Sequence, residues 1–252
     1  MRLKTIIVDL DRTLLRTDKT ISEYTALILR QCKAHGIRIM LATARPLRAI
    51  KQYCEIVEFD AMVVSNGARV ISNNQWKEYG ICIESARHVL AQLQNNPTCR
   101  ITLETGDIAY SNKVIGDYET IICNDLESVV ENEGALKIIV SFDDEKILKF
   151  VESVLTEDLY CTVANGHLLQ IMDKRATKWN GIQAMLQLTE STEEEAIYFG
   201  DDYDDIEPIK RCGVGVAVSN GIDEVKAVAD YIALSNDEDG VAGFIEKHLG
   251  VN

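Results

Sequence analysis

Blocks of apolar residues closed by polar ones recur from the start of the chain. Ile6-Ile7-Val8 is a short β-branched run that ends in Asp9-Leu10-Asp11, and an apolar run bounded by acids predicts a buried parallel strand. Ser22 then caps a predicted helix whose apolar positions Tyr24, Leu27, Ile28 and Cys32 keep helical spacing, with Gly36 as its stop. Residues 37–43 read as a second strand. Pro46 stands at the first turn of the next helix, where its missing N–H costs nothing, and Ala61-Met62-Val63-Val64 predicts a third strand running into Ser65-Asn66-Gly67. Strands and helices alternating in this way predict an α/β fold, a doubly wound parallel sheet of Rossmann-like type with right-handed crossovers.

Near residue 80 the rhythm changes. Residues 85–95 form an amphipathic helical pattern through Ala86, Val89, Leu90 and Leu93, followed by short alternating segments at 101–103 and 135–140. A further helix runs through Ile147, Leu148, Val151 and Leu155, and strand-like segments at 161–163 and 168–172 flank Asn165-Gly166, a hairpin signal. The expected organisation is therefore a core of 1–79 and 178–252 interrupted by an α+β insertion of 80–177. The core rhythm resumes with a helix over 177–188 and strands at 196–199, 214–218 and 231–234.

Five of the predicted core strands end at Asp9, Thr43, Ser65-Asn66, Asp201 and Ser219-Asn220. Ligands of open parallel sheets bind outside the carboxyl ends of their strands. Any one of these residues could be an ordinary cap or turn, but all five converge on one edge. Asp9 and Asp11, two apart on an extended backbone, project to the same side. Two such carboxylates without a partner would raise one another's pKa, so the pair points either to a bound divalent cation or to divided nucleophile and acid/base roles.

Composition narrows the classes. With 252 residues and 46% apolar content the chain can bury a substantial core. It holds 26 basic and 40 acidic residues, a formal charge of −14, so the footprint of a nucleic-acid binder is missing. An anionic substrate is still admissible, because charges farther than about 8 Å are screened in physiological salt and local cations decide. The seven cysteines form no C-x-x-C pair, which predicts reduced thiols rather than a disulfide framework. No run of apolar residues is long enough for a membrane span, and a cytoplasmic protein is expected.

Taken together, Asp9-Leu10-Asp11-Arg12-Thr13, Thr43, Lys178 and Gly200-Asp201-Asp202-Tyr203-Asp204-Asp205 resemble the four motifs of the haloacid dehalogenase superfamily of phosphotransferases. The insertion before Lys178 is similar to the type-two α/β cap of the Cof-type sugar-phosphate phosphatases. The likeness spans the core, including Ser65-Asn66-Gly67-Ala68 and the tail from Val225 to Val241; the cap matches in outline. It implies an Mg2+-dependent phosphatase for a small phosphorylated metabolite of the sugar-phosphate class. Asp9 would be the nucleophile, forming an aspartyl-phosphate, and Asp11 the acid and base. Mg2+ would sit between the Asp9 carboxylate, the Asp11 backbone carbonyl and Asp201, with Asp204 and Asp205 behind them. Thr43 would hydrogen-bond phosphate and Lys178 would neutralise charge, with Lys174 and Arg175 as nearby rivals for that role.

The resemblance also suggests substrate contacts at Arg12, Arg45 and Asn66, and in the cap at Asp107, Asn165 and His167. Arg12 stands where the family usually has Gly, Ala44 where Gly is usual, and Asp202 and Asp204 where Gly and Asn are commoner. Arg12 therefore either steers phosphate or holds a backbone angle favoured by Gly. A phosphomutase would need a second phosphate site, and Arg100, Lys113, Lys137 and Lys174 form no evident cluster for one. A non-catalytic phospho-ligand sensor is disfavoured because Asp9, Asp11, Thr43, Lys178 and Asp201 are all kept. Whether the chain is a monomer or a dimer is left open.

Overall fold

The structure is a computed structural model and describes residues 3–73, 75–116, 118–142, 144–164 and 166–250. The chain divides into two compact units, one of Met1–Arg45, Ala49–Lys77 and Thr177–Asn252, the other of Pro46–Arg48 and Glu78–Ala176. The expected boundaries were 80 and 177. The three-residue piece at Pro46–Arg48 has no counterpart in the sequence reading.

In the first unit the elements in chain order are β1 (Thr5–Val8), α1 (Glu23–Ala34), β2 (Arg38–Ala42), α2 (Lys51–Cys54), β3 (Ala61–Val64), β4 (Arg69–Ser72) and β5 (Gln75–Glu78). The second unit supplies α3 (Ile83–Gln94), β6 (Arg100–Glu104), β7 (Ala109–Ser111), β8 (Ile121–Ile122), α4 (Leu126–Glu133), β9 (Lys137–Ser141), α5 (Glu145–Val154), β10 (Leu159–Ala164) and β11 (Leu168–Asp173). The first unit is completed by α6 (Lys178–Leu188), β12 (Ala196–Gly200), α7 (Ile206–Arg211), β13 (Val214–Val218), α8 (Asp223–Lys226), β14 (Tyr231–Ala233) and α9 (Gly240–Leu249).

Its eight-stranded sheet has the order β14-β13-β12-β1-β2-β3-β4-β5. All pairings from β14 to β3 are parallel, as the α/β rhythm requires, and the order reverses on either side of β1. Ile6, Ile7, Val8, Ile39, Met40, Leu41, Ile197, Tyr198 and Phe199 are completely buried, which is why these strands are continuous apolar runs rather than alternating ones. β4 adds to β3 antiparallel. The sequence reading missed β4 and β5; Gln75–Glu78 is exposed throughout and, Trp76 apart, polar, the composition of an edge strand rather than of a core one. The helix expected after Pro46 is only a tight turn at Leu47–Ala49 followed by the single turn α2.

The second unit is a six-stranded sheet in the order β10-β11-β9-β6-β7-β8, antiparallel except for β7 with β8. Ile101, Leu103, Ile138, Val140, Leu169 and Ile171 pack with Ala86, Val89, Leu90 and Leu93 of α3 and with Leu126 and Val130 of α4. Alternation along β6 sends Arg100, Thr102 and Glu104 to the other face. The predicted hairpin joins β10 to β11, with Gly166 at φ 71°; Asn165 lies outside the described residues.

Candidate active site

Two strands side by side at the centre of the first unit's sheet deliver the acids. Asp9 follows β1, and its N–H donates to Phe199 O at 2.9 Å, carrying the parallel ladder one step past the strand. Asp201 follows β12, so the two carboxylates leave adjacent strand ends. Beyond Asp9 the chain closes a wide turn through Leu14 N–H to Asp9 O and Leu15 N–H to Leu10 O. Arg12 inside that turn has φ 60°, the left-handed region that costs a non-Gly residue about 1–2 kcal/mol. Asn220 offsets this by donating Nδ2–H to Arg12 O at 2.7 Å and accepting Arg12 Nη2–H on its own carbonyl at 3.0 Å. The Arg12 side chain lies 3.6 Å from Asp201 Oδ2, through Nε.

Lys178 opens α6, capped by Thr177, whose side chain accepts from Asn180 N–H at 3.1 Å. The start of that helix rests against Gly67: a Cβ there would fall 2.0 Å from Thr177 O, and φ at Gly67 is +97°. Glycine is thus needed at this position for both space and backbone angle. Lys178 Nζ donates to Asp9 Oδ1 at 2.9 Å and to Asp205 Oδ1 at 2.5 Å. Asp205 is completely buried. Its Oδ1 also accepts from Tyr198 OH at 2.5 Å, and its Oδ2 accepts the backbone N–H of Asp201 at 2.8 Å and of Asp202 at 3.1 Å. Gly200 makes room for this return, since a Cβ there would lie 2.5 Å from Asp205 Cβ.

Oxygens of Asp9, Asp201 and Asp205 lie within 4.8 Å of one another. Asp205 accepts four hydrogen bonds on two oxygens and is therefore committed to the protein. Among the described residues Asp201 Oδ1 accepts only one, from Thr13 Oγ1–H at 3.1 Å. A hard divalent cation needs carboxylate oxygens, and Asp9 with Asp201 is a donor set that fits one.

The electrostatics agree. Burial pushes the Asp9 carboxyl well above its usual range, Lys178 pulls it down, and Asp205 and Asp201 push it up further. Burial and the neighbouring Asp205 raise Asp201 to about 6, against the pull of Thr13 and Arg12. Burial opposes the charge of Lys178, but Asp205 and Asp9 outweigh it and hold the ammonium above its ordinary value.

Asp11 is more open. Arg45 grips it bidentately, Nε–H to Oδ2 at 2.7 Å and Nη2–H to Oδ1 at 2.6 Å, and Lys19 Nζ adds a bond to Oδ1 at 2.9 Å. Burial opposes ionisation of Asp11, yet these two cations outweigh it and hold the carboxyl below its usual value. Arg45, expected as a substrate contact, is thus engaged with Asp11 and stacks over Tyr53 at 5.6 Å. Thr43 is buried after β2; its N–H donates to Val63 O and its Oγ1 accepts from Arg45 N–H at 3.2 Å. Asn66, at φ 58°, gives its backbone N–H to Thr43 O and its Nδ2–H to Asp204 Oδ2 at 3.3 Å. Asp204 therefore meets Asn66, while Asp205 is the acid bonded to Lys178.

The cap candidates belong to the second unit. His167 lines a cavity of about 260 Å³ with Arg100 and Ser141, Asp107 lines a larger one, and Asn165 is outside the described residues. Of the rivals to Lys178, Arg175 pairs with Asp173 within the second unit. Sequence reasoning did not single out Lys19 or Tyr198, and it named Thr13 within the first motif and Asn220 at a strand end without giving either a role of its own. Tyr198 had a signal, a lone hydroxyl in an otherwise apolar strand.

A family model for haloacid dehalogenase-like hydrolases matches residues 6–245. The chain is 28% identical over 269 positions to the 5-amino-6-(5-phospho-D-ribitylamino)uracil phosphatase YitU of Bacillus subtilis, covering 98% of this chain and 97% of that one. It is 28% identical over 263 positions to YbjI of Escherichia coli, which carries the same activity name, over 99% and 97% of the two chains. A crystal structure of a haloacid dehalogenase-like hydrolase from Bacteroides thetaiotaomicron superposes with a TM-score of 0.84 at 27% identity, over 98% of this chain and 99% of the other. The paired acids, the lysine and the sheet that carries them thus sit in a chain that belongs to the haloacid dehalogenase-like hydrolases, as a Cof-type phosphatase acting on phosphoric monoesters.

Proposed function

We propose that this phosphatase hydrolyses a small phosphorylated metabolite of the sugar or sugar-alcohol phosphate class, with Mg2+, through an aspartyl-phosphate on Asp9. The observation that carries the reading is the buried chain Asp9–Lys178–Asp205, with Asp201 converging on it. The names of YitU and YbjI supply the substrate class, a ribityl phosphate.

Asp9, Asp201 and the Asp11 backbone carbonyl would hold the ion, and it would neutralise phosphate charge as a Lewis acid. An Asp9 oxygen attacks phosphorus, the bond from phosphorus to the ester oxygen breaks, and Asp11 delivers a proton to the departing alkoxide. For this step Asp11 must exchange its bonds to Arg45 and Lys19, which hold it ionised, for the ester oxygen and take up a proton from solvent before the alkoxide leaves. Water then attacks the acyl phosphate, its proton passes to Asp11, and the Asp9 carboxylate is released with inorganic phosphate. Lys178 stays charged throughout and offsets the charge on Asp9 and the transferring group, while Thr43 hydrogen-bonds a phosphate oxygen.

Among the described residues no helix is long and apolar enough to cross a membrane, and the seven cysteines are unbridged. These two facts support a cytoplasmic setting. The test is p-nitrophenyl phosphate hydrolysis with Mg2+ and with EDTA, for the wild type and Asp9→Asn. Metal-dependent turnover lost in the variant is expected, and turnover that persists in Asp9→Asn overturns the nucleophile. A panel of sugar and ribityl phosphates then reads the substrate class.

A further inference from the structure

Strand β12 is apolar except for one hydroxyl. Side chains alternate across a strand, so Phe199 turns to the face where it meets Phe244 edge-on at 5.6 Å, while Tyr198 and Gly200 share the opposite face. Tyr198 is completely buried. A phenylalanine would fill the same space with no polar group to satisfy, so the hydroxyl has to be explained by what it bonds.

Glycine delivers its partner. The missing side chain of Gly200 admits Asp205, whose Cβ and Cγ lie 2.5 Å from where a Cβ at 200 would stand, and Asp205 Oδ1 there accepts from Tyr198 OH at 2.5 Å, the short distance of a hydroxyl on a carboxylate. Burial and the charges of Asp205 and Asp9 push the phenol well above its ordinary pKa, which keeps the proton on Tyr198. The same Asp205 oxygen accepts from Lys178 Nζ at 2.5 Å, and Lys178 in turn reaches Asp9 Oδ1 at 2.9 Å. Tyr198, Asp205, Lys178 and Asp9 thus form one buried line of hydrogen bonds.

Two donors on one oxygen compete. The phenol sets the positive end of its O–H dipole against Asp205 Oδ1 and so reduces the charge that the ammonium meets there. Without it, the pull of Asp205 on Lys178 rises while that of Asp9 stays the same.

We propose that Tyr198 is a positioning residue: its hydroxyl holds and partly neutralises Asp205 Oδ1, which keeps the Lys178 ammonium shared with Asp9 instead of drawn wholly onto Asp205. The consequence for turnover rests on the reading of Lys178 under Proposed function, as the group that offsets charge on Asp9 and the transferring phosphoryl.

Tyr198→Phe tests it, because the ring is kept and Asp205 retains Lys178 and the N–H groups of Asp201 and Asp202. In a crystal structure of the variant, Lys178 Nζ is expected beyond about 3.5 Å from Asp9 Oδ1, outside hydrogen-bond range. With p-nitrophenyl phosphate and Mg2+, kcat is expected to fall about tenfold at a KM within about twofold of wild type, about the worth of one bond to a charged group. Inhibition by vanadate, which takes five ligands as phosphorus does in transfer, is expected to weaken by a similar factor while inhibition by phosphate holds. Lys178 still within about 3 Å of Asp9 Oδ1 overturns the proposal whatever the kinetics, and so does a uniform loss across vanadate, phosphate and KM, the mark of a merely structural role. A displaced ammonium with kcat and vanadate inhibition unchanged upholds the positioning and overturns instead the part given to Lys178 in turnover. Tyr198→Met, of similar bulk and without a donor, supplies the same readouts should the phenylalanine variant fail to fold.

Discussion

Asp205→Asn probes the buried charge chain most directly. The native carboxylate is completely buried and accepts from Lys178, Tyr198 and the N–H groups of Asp201 and Asp202. Asparagine keeps the shape but offers one acceptor oxygen and one NH2, so either orientation of the amide sets a donor against two donors. If the oxygen stays with the backbone N–H groups, the NH2 faces the Lys178 ammonium, which is left with Asp9 alone. Breaking a buried ion pair on one side costs about 3–5 kcal/mol. For a chain of this length each kcal/mol moves Tm by about 2–4 °C, so the expected fall is roughly 6–20 °C. Glu207→Gln is the control, because the Arg211–Glu207 pair at 2.7 Å is about half exposed on both sides and such pairs contribute about 0–1 kcal/mol. Both melts are followed by circular dichroism in EDTA, so that metal binding does not mask the difference. An Asp205→Asn midpoint within about 2 °C of wild type, the size of a surface-pair effect, refutes the reasoning.

Asp11→Asn should leave attack by Asp9 on p-nitrophenyl phosphate fast, because nitrophenolate departs without a proton, while removing the base that activates water. Rapid-quench kinetics should then show a stoichiometric burst of nitrophenolate followed by turnover slowed about 10²–10⁴-fold; slow release with no burst would count against that role. Asp239 accepts from Arg16 at 2.5 Å and from Thr25; burial opposes its ionisation, yet these partners hold its carboxyl below the usual value. A lowered native pKa adds stability above the unfolded value of about 3.9 and loses it as pH falls through the lower native one. Asp239→Asn, tolerated at φ 56°, should therefore cost roughly 1–2 kcal/mol in urea titrations at neutral pH, with the gap closing in acid. A gap independent of pH would assign the loss to shape rather than charge.

The parallel sheet and its polar strand ends were legible because each buried strand is a block of apolar residues closed by a polar one, a pattern that depends on neither partner nor register. What the pattern does not carry is where a side chain returns. Asp202, Asp204 and Asp205 look alike in a run of acids, and only the backbone path shows that Asp205 bonds Lys178 while Asp204 meets Asn66. Gly200 held part of this information, since its missing side chain is what admits Asp205. Arg45 is the converse case: the resemblance suggested a substrate contact, whereas its fork matches the Asp11 carboxylate, a contact across 34 residues that no local spacing encodes. Arg12 falls between. Its place at a position favouring Gly raised the question of the backbone angle, and φ 60° with the reciprocal bonds to Asn220 answers it.

The charge balance of the site sets what it can accept. Three buried carboxylates, Asp9, Asp201 and Asp205, surround one buried ammonium, and Lys178 is already divided between two of them. Arg12 approaches Asp201 only at 3.6 Å and is more than half exposed, so it compensates weakly through water. The excess falls on Asp9 and Asp201, the two acids whose pKa values are pushed up, while Asp205, fully hydrogen-bonded, anchors the lysine. A dianionic phosphate arriving on its own would meet this excess and be repelled. Arriving with a divalent cation, it would meet a site whose uncommitted oxygens are those that gain most from the added charge. Cation and phosphate should therefore bind with positive cooperativity, each tightening the other by the same factor.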